Sequence, residues 1–275
     1  MKKRILLKGP ILTRSGYGEQ ARFALRSLKS RSDIFEIFIQ PIQWGMTSWL
    51  IETDEERQWI DQTIEKTIAY LQQGGKFDIS VQVTIPNEWE NLATVNVGYT
   101  AGIETTKVAH QWLQKGNEMD QIIVVSSHSK DVFTRTTYEG VNNQTKEKVR
   151  LALSTPIESV NYPVKQYDDL EQLPIDVPTE TNFLTVAQLG PRKNLANTIK
   201  WFLEEFREEE VGLIVKTNKA KNCLMDRELV HQELMNLAKS VPNTKAKVYL
   251  LHGDMTDDEM HSLYRHPKVS AFLAL

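Results

Sequence analysis

The chain is poor in three things that would each have fixed its class at once. It has one cysteine, Cys223, in 275 residues. That excludes a disulfide framework and a cysteine-rich metal site, and it makes a reducing, cytoplasmic location the expectation. It has no large charge excess: 33 Lys and Arg stand against 36 Asp and Glu, a formal net charge of -3. A globally basic nucleic-acid binder is thereby disfavoured, and any cationic site has to be local. Long apolar runs are also missing. The opening "MKKRILLKGP" offers only Ile5, Leu6 and Leu7, too short for a signal-peptide core. No stretch approaches the roughly 20 apolar residues of a membrane-spanning helix, so no integral membrane segment is expected. The sequon Asn143-Gln144-Thr145 accordingly reads as a chance match. With 40% hydrophobic residues there is still material for real cores, and the length suits two domains of ordinary size.

What is present is an alternation of β-rich runs with helical patterns. Ile5–Leu7 reads as a buried strand, followed by Ala21, Ala24, Leu25 and Leu28 at helical spacing. A strand at Ile34–Ile39 precedes a helix with Thr53 and Glu56 as a capping-box pattern and Ile60, Ile64, Ile68 and Leu71 along one face. "FDISVQVT", Val95–Tyr99 and Ile122–Val125 continue the strands, with a helix around Val108, Trp112 and Leu113. Residues 163–181 hold three prolines and several acids without periodicity, which marks a boundary. The expected organisation is an amino-terminal domain over 1–165, a linker over 166–181 and a second domain over 182–275. The second repeats the alternation with "FLTVAQL", "VGLIVKT", "KVYLLHG" and "VSAFLAL" as strands. This is a βαβ series, α/β in class, and implies two doubly wound, mostly parallel, Rossmann-like domains. No loop or helix follows the last strand, so the second domain reads as incomplete and the chain as the front of a longer protein. The acidic run Glu204–Glu210 reads as a solvated helix end.

Two stretches carry chemistry. In "GPILTRSGYGEQARFAL", Gly16 and Gly18 lead into a helix. A P-loop is excluded because no Gly-Lys-Ser/Thr follows. Gly16-Tyr17-Gly18-Glu19-Gln20-Ala21 matches the dinucleotide pattern G-x-G-x-x-A, and Glu36 lies about 20 residues on. Against that reading, a loop from Gly9 to Ser15 intervenes after the strand, and Glu36 falls inside a strand rather than at its end. The alternative is a flexible glycine-rich lip at a helix N-terminus, facing a cleft. In "TVAQLGPRKNLANTIKWF", Gly190 and Pro191 break a strand and Arg192 and Lys193 present adjacent positive charges before a helix. Two cations beside a helix N-terminus suit a diphosphate.

These two stretches, with the middle segment "VGYTAGIETTKVAHQWLQKGNEMDQIIVVSSHSKDVF" and the "YRHPKVSAFLAL" run, resemble GT-B-fold glycosyltransferases of the family-4, group 1 type. The likeness covers most of the chain in order and stops before the family's Glu-x7-Glu segment. It implies transfer of a sugar from a nucleotide-sugar donor, with retention of configuration, to a glycan, lipid or small-molecule acceptor. It implies no cofactor and no obligatory metal. On this likeness Arg192 and Lys193 bind the donor diphosphate, Gly16, Tyr17 and Gly18 border donor and acceptor, and Glu104 lies at the cleft. Gln188 departs from the family, where many relatives have arginine.

His110 and His128 are the histidines nearest the expected cleft, and no catalytic base is assigned. Asp257-Asp258 reads as helix N-terminal charge rather than as a metal motif. Trp44, Trp49, Trp89 and Trp112 have the chemistry to stack on sugars or to pack in cores. Two other readings stay open: an NAD(P)-dependent oxidoreductase using the Gly16-x-Gly18 loop, and a non-catalytic binding module.

Overall fold

The computed structural model describes residues 2–141, 147–168 and 170–274; the Asn143 sequon lies outside them. The chain divides into two compact units, Met1–Val164 and Lys165–Leu275.

In the first unit, β1 (Lys3–Gly9), α1 (Gly16–Lys29), β2 (Phe35–Pro41), α2 (Glu55–Gln72), β3 (Phe77–Val83) and β4 (Ala93–Thr100) are followed by α3 (His110–Gly116), β5 (Gln121–Val124) and α4 (Ser127–Arg135). Then come β6 (Thr137–Val141), β7 (Lys148–Ala152) and β8 (Ile157–Ser159). Six strands form one sheet in the order β2-β1-β3-β4-β5-β8, every pair parallel. Such a sheet is covered on both faces, which is why β1 reads as a continuous apolar run, with Ile5, Leu6 and Leu7 no more than 2% exposed. The antiparallel β6–β7 pair is an addition that the periodicity does not announce. Its residues are half-exposed and alternate no clear apolar face.

The second unit holds β9 (Thr181–Val186), α5 (Leu195–Glu205), β10 (Val211–Lys216), α6 (Leu224–Ser240), β11 (Lys247–Leu251), α7 (Asp257–Tyr264) and β12 (Val269–Phe272). Its parallel sheet runs β11-β10-β9-β12. In both units the chain winds outward from its first strand and then returns to that strand's other side. The reversal places a switch point beside β1 in one unit and beside β9 in the other. In open α/β sheets the loops at the carboxyl ends of such strands are where ligands bind.

Local chemistry shifts two expected details. The cap of α2 is Asp54, whose carboxylate accepts from Arg57 N at 2.7 Å, and not Thr53. Glu56, which a Thr53 box would need, forms a two-pronged pair with Arg26 instead, at 2.8 and 2.7 Å. The buried stripe of α2 also differs, running through Ile60, Thr63 and Thr67, while Ile68 is 52% and Leu71 47% exposed. Threonine is tolerated there because each hydroxyl bonds back to the helix, Thr63 to Trp59 O and Thr67 to Thr63 O, and Thr67 also accepts from Ile39 N of β2.

Described residues of the segment before β9 pack on the second unit. Val177 is buried among Leu184, Ile214 and Leu263, and Ser262 of α7 both donates to Glu171 O (2.6 Å) and accepts from Leu173 N (3.2 Å). The start of α7 carries a complete capping box, with Thr256 accepting from Glu259 N and Glu259 accepting from Thr256 N. Thr256→Ala is expected to lower stability by roughly 0.5 to 2 kcal/mol. A shift of the urea midpoint measures this, and an unshifted midpoint would show that α7 does not depend on its cap.

Candidate functional site

The glycine loop follows β1, a switch-point strand, and it is clasped rather than loose. Arg22 of α1 turns back and donates from Nη1 to Ile11 O (2.8 Å) and Thr13 O (3.0 Å), while Nη2 pairs with Glu19 at 2.9 Å. Thr13 Oγ1 donates to Pro10 O and lies 2.8 Å from Ser15 Oγ. Across the loop, Arg14 N donates to Ser48 O and Leu50 N to Leu12 O, both at 2.8 Å. The lip expected to be flexible is therefore held from three sides. Its helix is also capped: Ser15 Oγ accepts from Gly18 N at 2.9 Å and Ser15 O from Glu19 N. A Cβ on Gly18 would overlap the Thr13 carbonyl, whereas one on Gly16 would meet open space. Gly18 thus serves close packing of protein on protein, and the approach that a dinucleotide pyrophosphate would need is occupied by Thr13. Of the pair, only Gly16 leaves room beside it.

Tyr17 points its hydroxyl at the end of β4, 2.8 Å from Thr100 Oγ1 and accepting from Ala101 N at 3.2 Å, with its ring 4.4 Å from that of Trp44. Tyr162 donates to Gln20 Oε1 at 3.3 Å beside Tyr99. Burial raises the Tyr17 and Tyr99 phenols against the hydrogen bonds that would lower them, and burial together with the two neighbouring phenols pushes Tyr162 up to about 12. All three stay protonated at neutral pH.

The loop after β4 bends at Gly102, whose φ is +86 and whose missing Cβ leaves room for Ser129 of α4. That contact brings Glu104 and His128 to the same end of the sheet, and Glu104 is near enough to bear on the Tyr17 phenol. His110 is elsewhere. It opens α3 and meets Tyr138 edge-on at 6.0 Å, next to Val108, whose N–H bonds Thr136 at the C-terminal end of α4. His128 sits in the first turn of that same helix, so about 12 Å of helix lies between the two regions. Of the tryptophans, Trp89 is fully buried, Trp112 stacks on Phe133 at 5.9 Å, Trp44 lies on Tyr17, and Trp49 is 51% exposed.

In the second unit the loop after β9, the other switch-point strand, is the basic turn. Pro191–Lys193 forms a single 3-10 turn, closed by Lys193 N donating to Gly190 O at 3.1 Å, with Arg192 and Lys193 exposed. Asn194 then adopts a left-handed conformation, φ 50, and starts α5 without placing its side chain on the helix N–H groups. The first turn of this 11-residue helix is thus left without the side-chain cap that α1 has, and two cations precede it. An anion there meets a helix N-terminus and two positive charges together.

Behind the turn lies a set of partners that sequence spacing does not reveal. Asp226, in the first turn of α6, accepts from Lys219 N (3.0 Å) and Ala220 N (2.9 Å) and from His252 Nε2 at 2.9 Å. Burial opposes its ionisation, but the His252 bond and the two backbone N–H groups outweigh that, and its pKa is held below the ordinary 3.8. The resulting stability is present above the unfolded value and is lost as pH falls through the lower folded one. Gln188, just past β9, donates from Nε2 to Lys219 O at 2.8 Å.

No protein-family model matches the chain, and no curated protein matches it. Solved structures do. An OtsA apo structure aligns over 99% of this chain and 78% of its own, at 12% identity and a TM-score of 0.56. The fold is GT-B-like. The second of these structures, a trehalose-6-phosphate protein from E. coli bound with UDP-2-fluoro glucose, covers 98% of this chain and 78% of its own at 13% identity, TM-score 0.51. The apo lipopolysaccharide outer core galactosyltransferase WaaB covers 100% and 74% at 12% identity, TM-score 0.50. The GT-B-like fold agrees with two doubly wound units, each with its switch point beside its first strand. Among the described residues, no helix is long and apolar enough to cross a membrane, and no group of three or more His, Cys, Asp or Glu is placed to hold a metal ion.

Proposed function

We propose that the protein is a glycosyltransferase that moves a hexosyl group from a nucleotide-sugar donor to a glycan, lipid or small-molecule acceptor, with retention of configuration. The observation that carries this reading is the basic turn Pro191–Lys193 set before the α5 N-terminus at the switch-point strand of the second unit. The departing nucleoside diphosphate gains negative charge as the glycosidic bond breaks. In this reading Arg192, Lys193 and the N–H groups of α5 stabilise that charge, and no obligatory metal is needed. In the first unit, Gly16, with open space beside it, and Tyr17 are the residues that would border donor and acceptor, and Glu104 and His128 lie at the same end of the sheet. His110 takes no part in that group. The fold likeness to a protein bound with UDP-2-fluoro glucose makes a UDP-sugar the first donor to try.

Calorimetric titration of the chain with UDP, GDP and ADP and their sugars tests the proposal. Lys193→Ala is expected to weaken the diphosphate that binds by roughly 1 to 3 kcal/mol, about 5- to 150-fold. Superimposable isotherms for wild type and variant would remove Lys193 from the site. An NAD(H) isotherm abolished by Gly16→Val would revive the oxidoreductase reading.

A further inference from the structure

The basic turn is too short to hold its own position. It begins at Gly190, is closed only by its own backbone hydrogen bonds, Lys193 N to Gly190 O and Asn194 N to Pro191 O, and presents exposed side chains. What fixes the backbone leading into it is the last residue of β10 and the loop that follows. Ala187 N donates to Lys216 O (3.1 Å), Leu189 N to Asn218 O (2.8 Å) and Gln188 Nε2 to Lys219 O (2.8 Å). Three consecutive residues before the turn are thus laced to residues 216–219. That second loop is in turn held at Lys219 and Ala220, whose N–H groups both end on the Asp226 carboxylate. His252, just past β11, completes the carboxylate, and the two side chains are 7% and 2% exposed. Thr217 N donates to Leu251 O next to it.

We propose that the buried Asp226–His252 pair is a positioning element for the donor site, holding the loops after β9, β10 and β11 in one register so that Arg192 and Lys193 meet the diphosphate. This rests on the donor-site reading given above. A buried carboxylate with two backbone N–H donors and one imidazole donor has little freedom, and a hydrogen-bonded chain two links long carries that rigidity to Gly190. Gln188 is part of this element, because its side chain ties the loop after β9 to Lys219.

Three variants separate positioning from mere folding. His252→Gln keeps an N–H donor near the Nε2 position, His252→Leu removes it, and Asp226→Asn turns one acceptor oxygen into a donor that faces an N–H. Hydrogen exchange of peptides covering 187–194 and 217–222 is read first, since it needs no ligand. His252→Leu and Asp226→Asn are expected to speed exchange there about tenfold or more while β10 stays protected, and His252→Gln to stay near wild type. Unchanged exchange at 187–194 would overturn the proposal, and so would an equal rise throughout β10, because the pair would then serve only the unit's stability. Titration with UDP, GDP and ADP follows, with binding expected to weaken about tenfold in the two disruptive variants and to be retained in His252→Gln. If the exchange results hold but wild type binds none of these, it is the donor-site reading that has failed, not the lacing of the loops.

Discussion

Arg22→Met is expected to destabilise the first unit by roughly 2 to 6 kcal/mol and to release the glycine loop. Methionine keeps the length of the stem but removes the guanidinium that donates to the carbonyls of Ile11 and Thr13. Both residues are buried, at 1% and 0% exposure, so water does not simply replace the lost donor. Leaving a buried carbonyl unpaired costs on the order of 1 to 3 kcal/mol, and here there are two. Glu19 is less affected because it keeps its contact with Arg26 at 3.5 Å. Arg22→Lys is not expected to rescue, since one ammonium does not reproduce the planar fork that reaches two carbonyls and a carboxylate together. Thermal unfolding reads the stability, and limited proteolysis at residues 10–15 reads the loop. Wild-type resistance to cleavage in Arg22→Met would show that the loop's other contacts hold it without the guanidinium.

Trp89→Ala is expected to lose roughly 3 to 5 kcal/mol, the range for removing a large aromatic from a core. The indole is fully buried in a cluster with Leu113, Ile122, Val124 and Phe133. Gly98 of β4 is shaped to it, because a Cβ there would come 2.6 Å from the ring. A second variant, Gly98→Ala, intrudes on the same space from the strand side and is expected to cost about 1 to 3 kcal/mol. Urea midpoints of the two variants measure both effects. A Trp89→Ala midpoint equal to that of wild type would mean the indole leaves no cavity behind, contrary to its packing.

Trp89 also shows where sequence reading stops. Its residue type suits a sugar platform as well as a core, and only burial distinguishes the two. The alternation of strands and helices was legible because apolar spacing survives in each segment, from Ile5–Leu7 to "KVYLLHG". The turn that carries Arg192 and Lys193 was legible as a break between strand and helix because the three are contiguous. The α2 face was misread because Thr63 and Thr67 satisfy their own hydroxyls and so pass as apolar. The cap was misassigned because Glu56 is claimed by Arg26 from another helix, a competition invisible along the chain. Asp226 and His252 belong to different βα units and meet only after the sheet has formed. Arg22 lies between a glycine pair and an apolar stripe, and nothing local tells that its guanidinium turns back over the preceding loop.

The strand orders bear on the sequence of events as the polypeptide leaves the ribosome. β9 lies between β10 and β12, and its partners run from Val211 to Phe272. When the segment carrying Arg192 and Lys193 first emerges, the strand that presents it has no neighbour, and one flank stays open until residues 269–272 arrive. β1 has the same history, waiting for Phe77–Val83 before its second side is covered. In both units the strand that bears the candidate site is made first and enclosed late, so parallel pairing over long sequence separation, slow by its nature, sets when each site can first exist.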